Sequence, residues 1–261
     1  MSATSTLSET TLLVSVNFHG LVVERQTSGL HALYGKYGYG RYTSNIGYLR
    51  ILNLLERLNI KATWFVPSEE AQDNPACIKA IASDGHEVAA NGIDLSGPRL
   101  GIKDESADLV HAHTVLADLT GIEPVGWRAP TGALSPDTLQ ILQSLGYLYD
   151  SSFQDHYQPY SLVNDGASGM VELPQNEILI DATLWNARAT HDRVLRTWTE
   201  EFNAASSEKC LIHLTLHPRA DSGSGRASRI DVVEKFLRHV LASGVECKTA
   251  RSIAAHFLQA R

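Results

Sequence analysis

Apolar residues recur along this chain in two alternating patterns. Short runs of apolar and β-branched residues predict buried strands, and apolar residues spaced three or four apart predict amphipathic helices. The strand pattern covers residues 12–16, 62–66, 87–90, 125–128, 210–216 and 245–248, with shorter runs at 171–173 and 178–180. The helix pattern covers residues 48–58, 75–83, 106–119, 135–145, 192–204, 230–241 and 250–259. The alternation predicts an α/β fold.

The strand-then-helix units follow one another without a repeat or a linker. Roughly seven such units in one compact length favour a single distorted (β/α) barrel of about seven strands over two domains. Residues 1–11 are rich in Ser and Thr and are predicted to form a disordered tail, which leaves residues 12–261 as one barrel domain. Residues 150–169 combine Gly, Pro and polar residues and are predicted to form a loop.

Charge narrows the classes of partner. The net charge is −7, and acidic and basic residues are mixed along the chain rather than gathered in a basic stripe. This distribution argues against nucleic acid and anionic membranes as partners and leaves a small-molecule substrate as the expectation.

Cysteine usage and the absence of long apolar runs bear on the compartment. The three cysteines, Cys77, Cys210 and Cys247, are far apart and suggest neither a disulfide framework nor a zinc ribbon. The sequence contains no apolar stretch of signal-peptide length and no run of about 18 apolar residues. A cytoplasmic location is therefore expected, which counts against a role on extracellular cell-wall polymer.

Polar and titratable residues follow several of the predicted strands. In parallel barrels the carboxyl ends of the strands meet at one rim, where the chemistry takes place. That rule nominates the following residues: Asn17, His19, Glu24, Asn91, Asp94, Arg128 and His217. Their expected convergence predicts a functional site at this rim.

Several short segments occur in an order that is found in one superfamily. They read YGKYG at 34–38, GRY at 40–42, KATWFVP at 61–67, GHEV at 85–88, PVGWRAP at 124–130, YDSS at 149–152, ELP at 172–174 and LTLHP at 214–218. On these segments the chain resembles the polysaccharide-deacetylase (NodB-homology) barrels. The resemblance is greatest to the branch with peptidoglycan deacetylase-like proteins, cyclic imidases and a metal-independent allantoinase. It implies a distorted barrel of seven or so strands and a homo-oligomer, either a tetramer or a dimer.

The residues that bind metal in the family are substituted in this chain. The family ends its first strand with two aspartates, one a general base and one a metal ligand, and adds two histidines four residues apart. Asn17 and His19 stand at the aspartate positions, and Asn91 and Leu95 stand at the histidine positions. An amide does not take up a proton at neutral pH, leucine cannot bind a metal, and neutral asparagine is a poor ligand for zinc-type ions. These substitutions predict a protein without metal or other cofactor.

A rewired metal site, in which His19 combines with Asp94 or His217, is the alternative.

Two other family positions are retained. The resemblance implies that Arg128 orients the base and that His217 is the general acid, and their chemistry suits these roles. The first and last strands of a closed barrel are neighbours, so His19 and His217 are expected to face each other across the rim as proton acceptor and donor.

The candidate site residues therefore fall into two sets. The candidate catalytic residues are His19, His217, Asn17 and Arg128. The candidate substrate-binding residues are Glu24, Asn91, Asp94, Trp127 and Tyr42. Glu24 and Asp94 are expected to orient the histidines, and the asparagines to stabilise an oxyanion. Tyr42 ends a glycine- and tyrosine-rich segment, residues 29–42, which is either part of the site, as in the related proteins, or a flexible surface loop.

Three functions are compatible with these residues. The first is a metal-independent hydrolase of a C–N bond in a small amide, cyclic imide or ureide. The second is a catalytically silent homologue that binds a ligand or partner, because both the base and the metal ligands are lost. The third is a lyase or isomerase that uses His19 as proton acceptor. A close His19–His217 pair with carboxylate support separates the first from the second.

Overall fold

A curled half-barrel sheet forms the centre of the computed structural model, which describes residues 7–28, 38–98, 102–164 and 167–259. Its strands are β1 Thr11–Asn17, β2 Thr63–Val66, β3 Glu87–Ala90, β4 Gly126–Trp127, β5 Tyr149–Asp150, β6 Tyr160–Asn164, β7 Ala167–Glu172, β8 Leu211–Leu216 and β9 Glu246–Cys247. Neighbouring strands follow the order β6-β7-β5-β4-β3-β2-β1-β8, and β9 also pairs with β1. Apart from the antiparallel β6–β7 pair, these pairings are parallel. The predicted α/β fold is confirmed, and its distorted barrel takes the form of a curled half-barrel sheet.

Helices surround the sheet, and most of them cover its outer face. They are α1 Val22–Ser28, α2 Tyr39–Tyr42, α3 Tyr48–Arg57, α4 Ser68–Asp73, α5 Pro75–Ser83, α6 Ile102–Thr120, α7 Thr138–Ser144, α8 Asp181–Asn186, α9 His191–Ala205, α10 Ala227–Ala242 and α11 Ala250–Gln259. No helix within the described ranges is long and apolar enough to span a bilayer.

The two faces of the sheet carry separate apolar clusters, because side chains alternate between the faces along a strand. On β1, Leu12 and Val14 belong to the larger cluster, which the helices cover. Leu13 belongs to the smaller cluster on the inner face, where it is packed with residues of α11 such as Phe257. The next inward-facing residues of β1 are polar, and the last of them is Asn17. The inner face is thus apolar near α11 and polar towards the carboxyl ends of the strands.

A π-helical turn, Thr43–Gly47, joins α2 directly to α3 and brings this helix against the rim. The Thr43 hydroxyl donates to the backbone oxygen of His19 at 3.1 Å. A Cβ atom on Gly47 would lie 1.7 Å from the backbone oxygen of Pro218. Only glycine therefore allows the helix to approach the segment after β8 this closely.

Most predicted elements are present, with ends shifted by a few residues. The exact agreements are β3, α5 and α11. Residues 150–169, predicted to be a loop, instead contain β6 and the start of β7, whose pairing is interrupted by a bulge between Leu162 and Val163. The strand predicted at 178–180 is a 3₁₀ turn, Glu177–Leu179, with one bridge from Ile180 to Thr215. Short helices α1, α4 and α8 have too few turns to show a helical period and were not predicted.

The predicted boundaries at the amino terminus fall partly outside the described residues. Of the tail predicted for residues 1–11, residues 1–6 are outside them. Leu7 donates its backbone N–H to Gln158 Oε1 at 3.1 Å, and β1 begins at Thr11 rather than at residue 12.

The helix predicted at 135–145 begins at Thr138. The buried carboxylate of Glu105 accepts hydrogen bonds from the Thr138 and Ser135 hydroxyls at this helix start.

Two buried carboxyl groups meet where β5 pairs with β7. Asp150 and Glu172 are register partners, and both are 0% exposed. Burial, and then the neighbouring Asp150, raise the pKa of Glu172 well above its usual range. One proton shared between the two carboxyl groups accounts for their contact, because two buried carboxylates at this distance would repel each other.

Glu172→Gln removes the ionisation that burial opposes. Because the pKa of Glu172 is raised in the folded state, the natural protein loses stability as pH rises above the unfolded-state pKa of about 4.3. We expect the variant to gain on the order of 1 kcal/mol relative to the natural protein between about pH 5 and pH 8. Denaturant unfolding at both pH values measures this, with the exposed Glu177→Gln as control. The same pH dependence in the natural protein and in Glu172→Gln would contradict the assignment.

Candidate functional site

Neighbouring strands β1 and β8 supply the inward-facing polar residues of the site. Their parallel register pairs Ser15 with Thr215, and the two side-chain oxygens lie 3.0 Å apart. Asn17 and His217 lie two residues beyond this pair, at the carboxyl ends of β1 and β8. The predicted rim is therefore formed by adjacent strands rather than by closure of a barrel.

Arg128 lies beneath this rim and is 3% exposed. Its guanidinium donates to neutral acceptors: Asn17 Oδ1 at 2.8 Å, the Ser151 backbone and hydroxyl oxygens, Ser15 Oγ and His213 Nε2. The guanidinium carbon also lies 3.8 Å from the centre of the Phe65 ring. Burial lowers the pKa of Arg128 to about 9. Within the described residues no carboxylate contacts Arg128, so its role is to hold neutral polar groups in place.

A line of hydrogen bonds runs from Arg128 through Asn17 and His217 to Asp181. Arginine only donates, so the Asn17 atom that faces it is Oδ1 and the amide nitrogen faces His217 Nε2, at 3.1 Å. His217 Nδ1 lies 2.7 Å from Asp181 Oδ1, and Asp181 Oδ2 accepts the backbone N–H groups of His217 and Ser224. Because the Asn17 N–H group donates to Nε2, the ring proton of His217 lies on Nδ1, which donates to Asp181, and the Nε2 lone pair is directed towards Asn17.

A second line joins His19 to Arg128 through Asn91. Asn91 Nδ2 donates to the backbone oxygen of Arg128 at 2.8 Å, and Asn91 Oδ1 lies 2.7 Å from His19 Nε2. The centres of the His19 and His217 rings are 5.5 Å apart. Burial first, and then the nearby His217, Arg219 and Arg128, lower the pKa of His19 to about 3. His19 is therefore neutral at physiological pH.

The carboxylates that were expected to orient the histidines lie elsewhere. Glu24 pairs with buried Arg219 at 2.7 Å and accepts the backbone N–H of Gly40 at 3.0 Å. Asp94 Oδ1 accepts the backbone N–H of Ser96 at 2.7 Å. Asp181 takes this role instead, and the sequence analysis did not nominate it. It directly follows the strand predicted at 178–180, so the same strand-end rule would have found it.

Trp127 and Asp94 line a separate cavity of about 310 Å³. Adjacent residues of a strand point to opposite faces, so Trp127 belongs to the outer apolar cluster while Arg128 points inwards. The cavity lies between the loop after β3 and helices α6 and α7, and neither His19 nor His217 lines it. The substrate-binding role expected for these two residues therefore does not belong to the histidine site.

Tyr42 lies beside the segment that follows β8. Its hydroxyl donates to the backbone oxygen of Gly225 at 3.1 Å and contacts Arg50. Much of the glycine- and tyrosine-rich segment that Tyr42 ends, residues 29–37, lies outside the described residues. Tyr42 thus stabilises the wall of the site, and no contact joins it to His19 or His217 in the described chain.

The residues at the family's metal positions do not fit a zinc-type ion. The Asn91 amide is held between His19 and a backbone oxygen, and the Leu95 side chain has no donor atom, so the imidazole of His19 is the one usual ligand left at these positions. In the described part of the chain, no three His, Cys, Asp or Glu residues are grouped so that they could hold a metal ion. The arrangement instead offers two imidazoles, one of them bonded to a carboxylate, and fixed amide dipoles.

Comparison with known proteins is consistent with this fold. A family model described as polysaccharide deacetylase matches residues 37–149. A peptidoglycan deacetylase-like protein of Gibberella zeae is 28% identical, over 95% of this chain and 86% of its own length. A peptidoglycan deacetylase of Helicobacter pylori is 26% identical, over 84% of this chain and 86% of its own length.

Solved structures show the same architecture. A polysaccharide deacetylase-type protein of Mycobacterium smegmatis is 27% identical and has a TM-score of 0.86, with 96% of this chain and 90% of that chain covered. An allantoinase shares the fold with a TM-score of 0.81 at 22% identity, with 95% of this chain and 90% of that chain covered. Residues 37–149 of this chain therefore match the polysaccharide deacetylase family, and nearly the whole chain is similar to proteins of that kind.

Proposed function

We propose that this protein is a metal-independent hydrolase of a C–N bond in a small amide, cyclic imide or ureide. The observation that carries the proposal is the contact of His217 with Asp181, 2.7 Å long, at the rim where Asn17 and His19 also lie. A histidine oriented by a buried carboxylate can take up and release a proton near neutral pH, and this is what hydrolysis of an amide requires.

The proton moves through His217 in this mechanism. Water attacks the carbonyl carbon, and His217 Nε2 accepts one of its protons while Asp181 stabilises the imidazolium. The C–N bond then breaks, and the same proton passes to the leaving nitrogen. A linear amide gives a carboxylic acid and an amine or ammonia, whereas a cyclic imide or ureide opens to one product that carries both the carboxylic acid and the protonated nitrogen. In the resting state Asn17 Nδ2 occupies the lone pair of Nε2, so Asn17 exchanges this hydrogen bond for one to the developing oxyanion.

His19 has a different role from the proton acceptor expected from the sequence. With a pKa of about 3, it stays neutral across the physiological range and is a weak base. A neutral imidazole that is held by Asn91 is suited to accept a hydrogen bond from the attacking water. His217, which has carboxylate support, then remains the proton carrier.

The names of the relatives leave two substrate classes within this chemistry. Both curated relatives are named for peptidoglycan deacetylation, which cleaves an N-acetyl amide, whereas the allantoinase is named for a ureide. Both reactions are hydrolysis of a C–N bond next to a carbonyl. An activity screen across amides, cyclic imides, ureides and N-acetylated sugars separates them.

A catalytically silent, ligand-binding homologue is the second candidate. It is favoured by the amide of Asn17, which stands where the family has its base and occupies the lone pair of His217. This candidate predicts no turnover in the screen. Ligand binding that depends on the same residues would then be the only measurable function.

The metal content of the purified protein follows from these donor atoms. Because Asn91 and Leu95 leave His19 as the one usual ligand at the family's metal positions, we expect far less than one zinc, iron or nickel ion per chain after purification. Elemental analysis measures this, and treatment with a chelator should leave any activity unchanged. One tightly bound metal ion per chain, with activity lost on its removal, would contradict metal independence.

Loss of either member of the His217–Asp181 pair should slow turnover. His217→Ala and Asp181→Asn should each lower kcat on any substrate found in the screen, by about 10²- to 10⁴-fold for His217→Ala. His239→Ala is the matched control, because His239 is exposed and bonds to Asn203 at the surface. Circular dichroism confirms that the variants are folded. Full activity of His217→Ala would sink the role assigned to this histidine.

A further inference from the structure

We infer that Asn91 is a positioning residue that fixes His19 in its Nε2–H tautomer, which leaves His19 Nδ1 as a permanent hydrogen-bond acceptor for the attacking water. The identity of the water rests on the proposed hydrolase function. The tautomer does not, and it can be measured without any activity.

The orientation of the Asn91 amide follows from its partner in the backbone. The Arg128 backbone oxygen can only accept a hydrogen bond, so the Asn91 atom 2.8 Å from it is Nδ2. The other side-chain atom, Oδ1, is then the one 2.7 Å from His19 Nε2. An amide oxygen accepts only, so the hydrogen between them belongs to His19 Nε2.

The surrounding backbone keeps this amide from turning over. Asn91 is 1% exposed, so water cannot replace either of its partners at low cost. Its backbone N–H donates to Val66, and Arg128 N–H donates to Ala90, which locks the end of β3 between its neighbours. Gly92, at φ +77°, continues the chain so tightly that a Cβ there would lie 2.8 Å from Pro130 Cγ.

The remaining nitrogen of His19 is the atom left for a ligand. With the proton on Nε2 and the ring neutral, Nδ1 carries a lone pair, and within the described residues no hydrogen bond is made to it. His19 is also less buried than Asn17, Asn91 or His217. An acceptor with a fixed direction and a low affinity for protons positions a water molecule without removing its proton.

Arg128 is common to both histidines. Its guanidinium orients Asn17, which faces His217, and its backbone oxygen orients Asn91, which faces His19. An asparagine side chain does not ionise at neutral pH. The two asparagines instead determine, through the direction of their hydrogen bonds, which nitrogen of each histidine carries the proton. Their roles differ: Asn17 meets the reacting atoms, whereas Asn91 acts only through His19.

Asn91→Thr and Asn91→Val test this inference as a pair of equal shape. The Thr side chain keeps a hydroxyl with both a donor and an acceptor, one bond closer to the backbone than the amide atoms, whereas Val has neither. Histidine ¹⁵N NMR at pH 7 should show His19 with a protonated Nε2 and an unprotonated Nδ1 in the natural protein and in Asn91→Thr. The Val variant should show a mixture of both tautomers. Asn203→Val, which removes the similar surface contact to His239, is the control and should leave the His19 signals unchanged.

Kinetics on a substrate found in the screen give the second readout. Asn91→Val should lower kcat by about 10- to 100-fold, as expected when a reacting group loses its alignment, with KM changed about twofold or less. Asn91→Thr should recover most of the loss. A natural protein with the proton on His19 Nδ1, or an Asn91→Val variant whose tautomer and kcat are unchanged, would overturn the inference. The expected tautomers without any turnover would support the positioning of His19 and sink the hydrolase proposal instead.

Discussion

The buried guanidinium of Arg128 is the constraint on which the rest of the site depends. A buried cation without a carboxylate partner is costly unless every N–H group finds an acceptor. Here the acceptors are neutral oxygens and one imidazole nitrogen, contributed by strands β1 and β8 and by the segment after β5. Their arrangement around one flat group fixes how these strand ends meet. The same group then determines the direction of the hydrogen bonds that reach both histidines.

Asparagine at position 17, in place of the family's aspartate, changes the direction of the hydrogen bond to His217 as well as the charge of the site. A carboxylate there, as the family has, would accept hydrogen bonds from both Arg128 and a protonated His217. Asn17 accepts from Arg128 but must offer an N–H group to His217. The change therefore moves the resting proton of His217 to the nitrogen that faces Asp181. His217 Nε2 is in this way an acceptor at rest.

The periodic part of the sequence predicted the periodic part of the fold. Long amphipathic helices such as α10 and the apolar strands β1 and β8 were identifiable, because each repeats its pattern over enough residues. The β6–β7 hairpin was not, since a register shift between Leu162 and Val163 breaks the alternation along its strands. The rule that chemistry follows strand ends brought together His19 and His217, which the structure places 5.5 Å apart.

Partner identity was the part that sequence could not supply. Glu24 and Asp94 satisfied the same rule as Asp181, but Arg219 and a local backbone N–H occupy them. Which carboxylate reaches a histidine depends on the three-dimensional path of the loops, and α8, which places Asp181, is too short to be seen in a pattern. Trp127 could have been separated from Arg128, because adjacent strand residues face opposite sides.

Neutron diffraction from crystals of the natural protein, exchanged into D₂O at neutral pH, tests the central claim most directly, because it locates the hydrogens that decide the polarity of the site. We expect deuterium on His217 Nδ1 and His19 Nε2, none on His217 Nε2, and the Asn17 amide nitrogen facing His217. Deuterium on His217 Nε2, with the Asn17 oxygen turned towards it, would contradict the claim that Arg128 sets the direction of these hydrogen bonds.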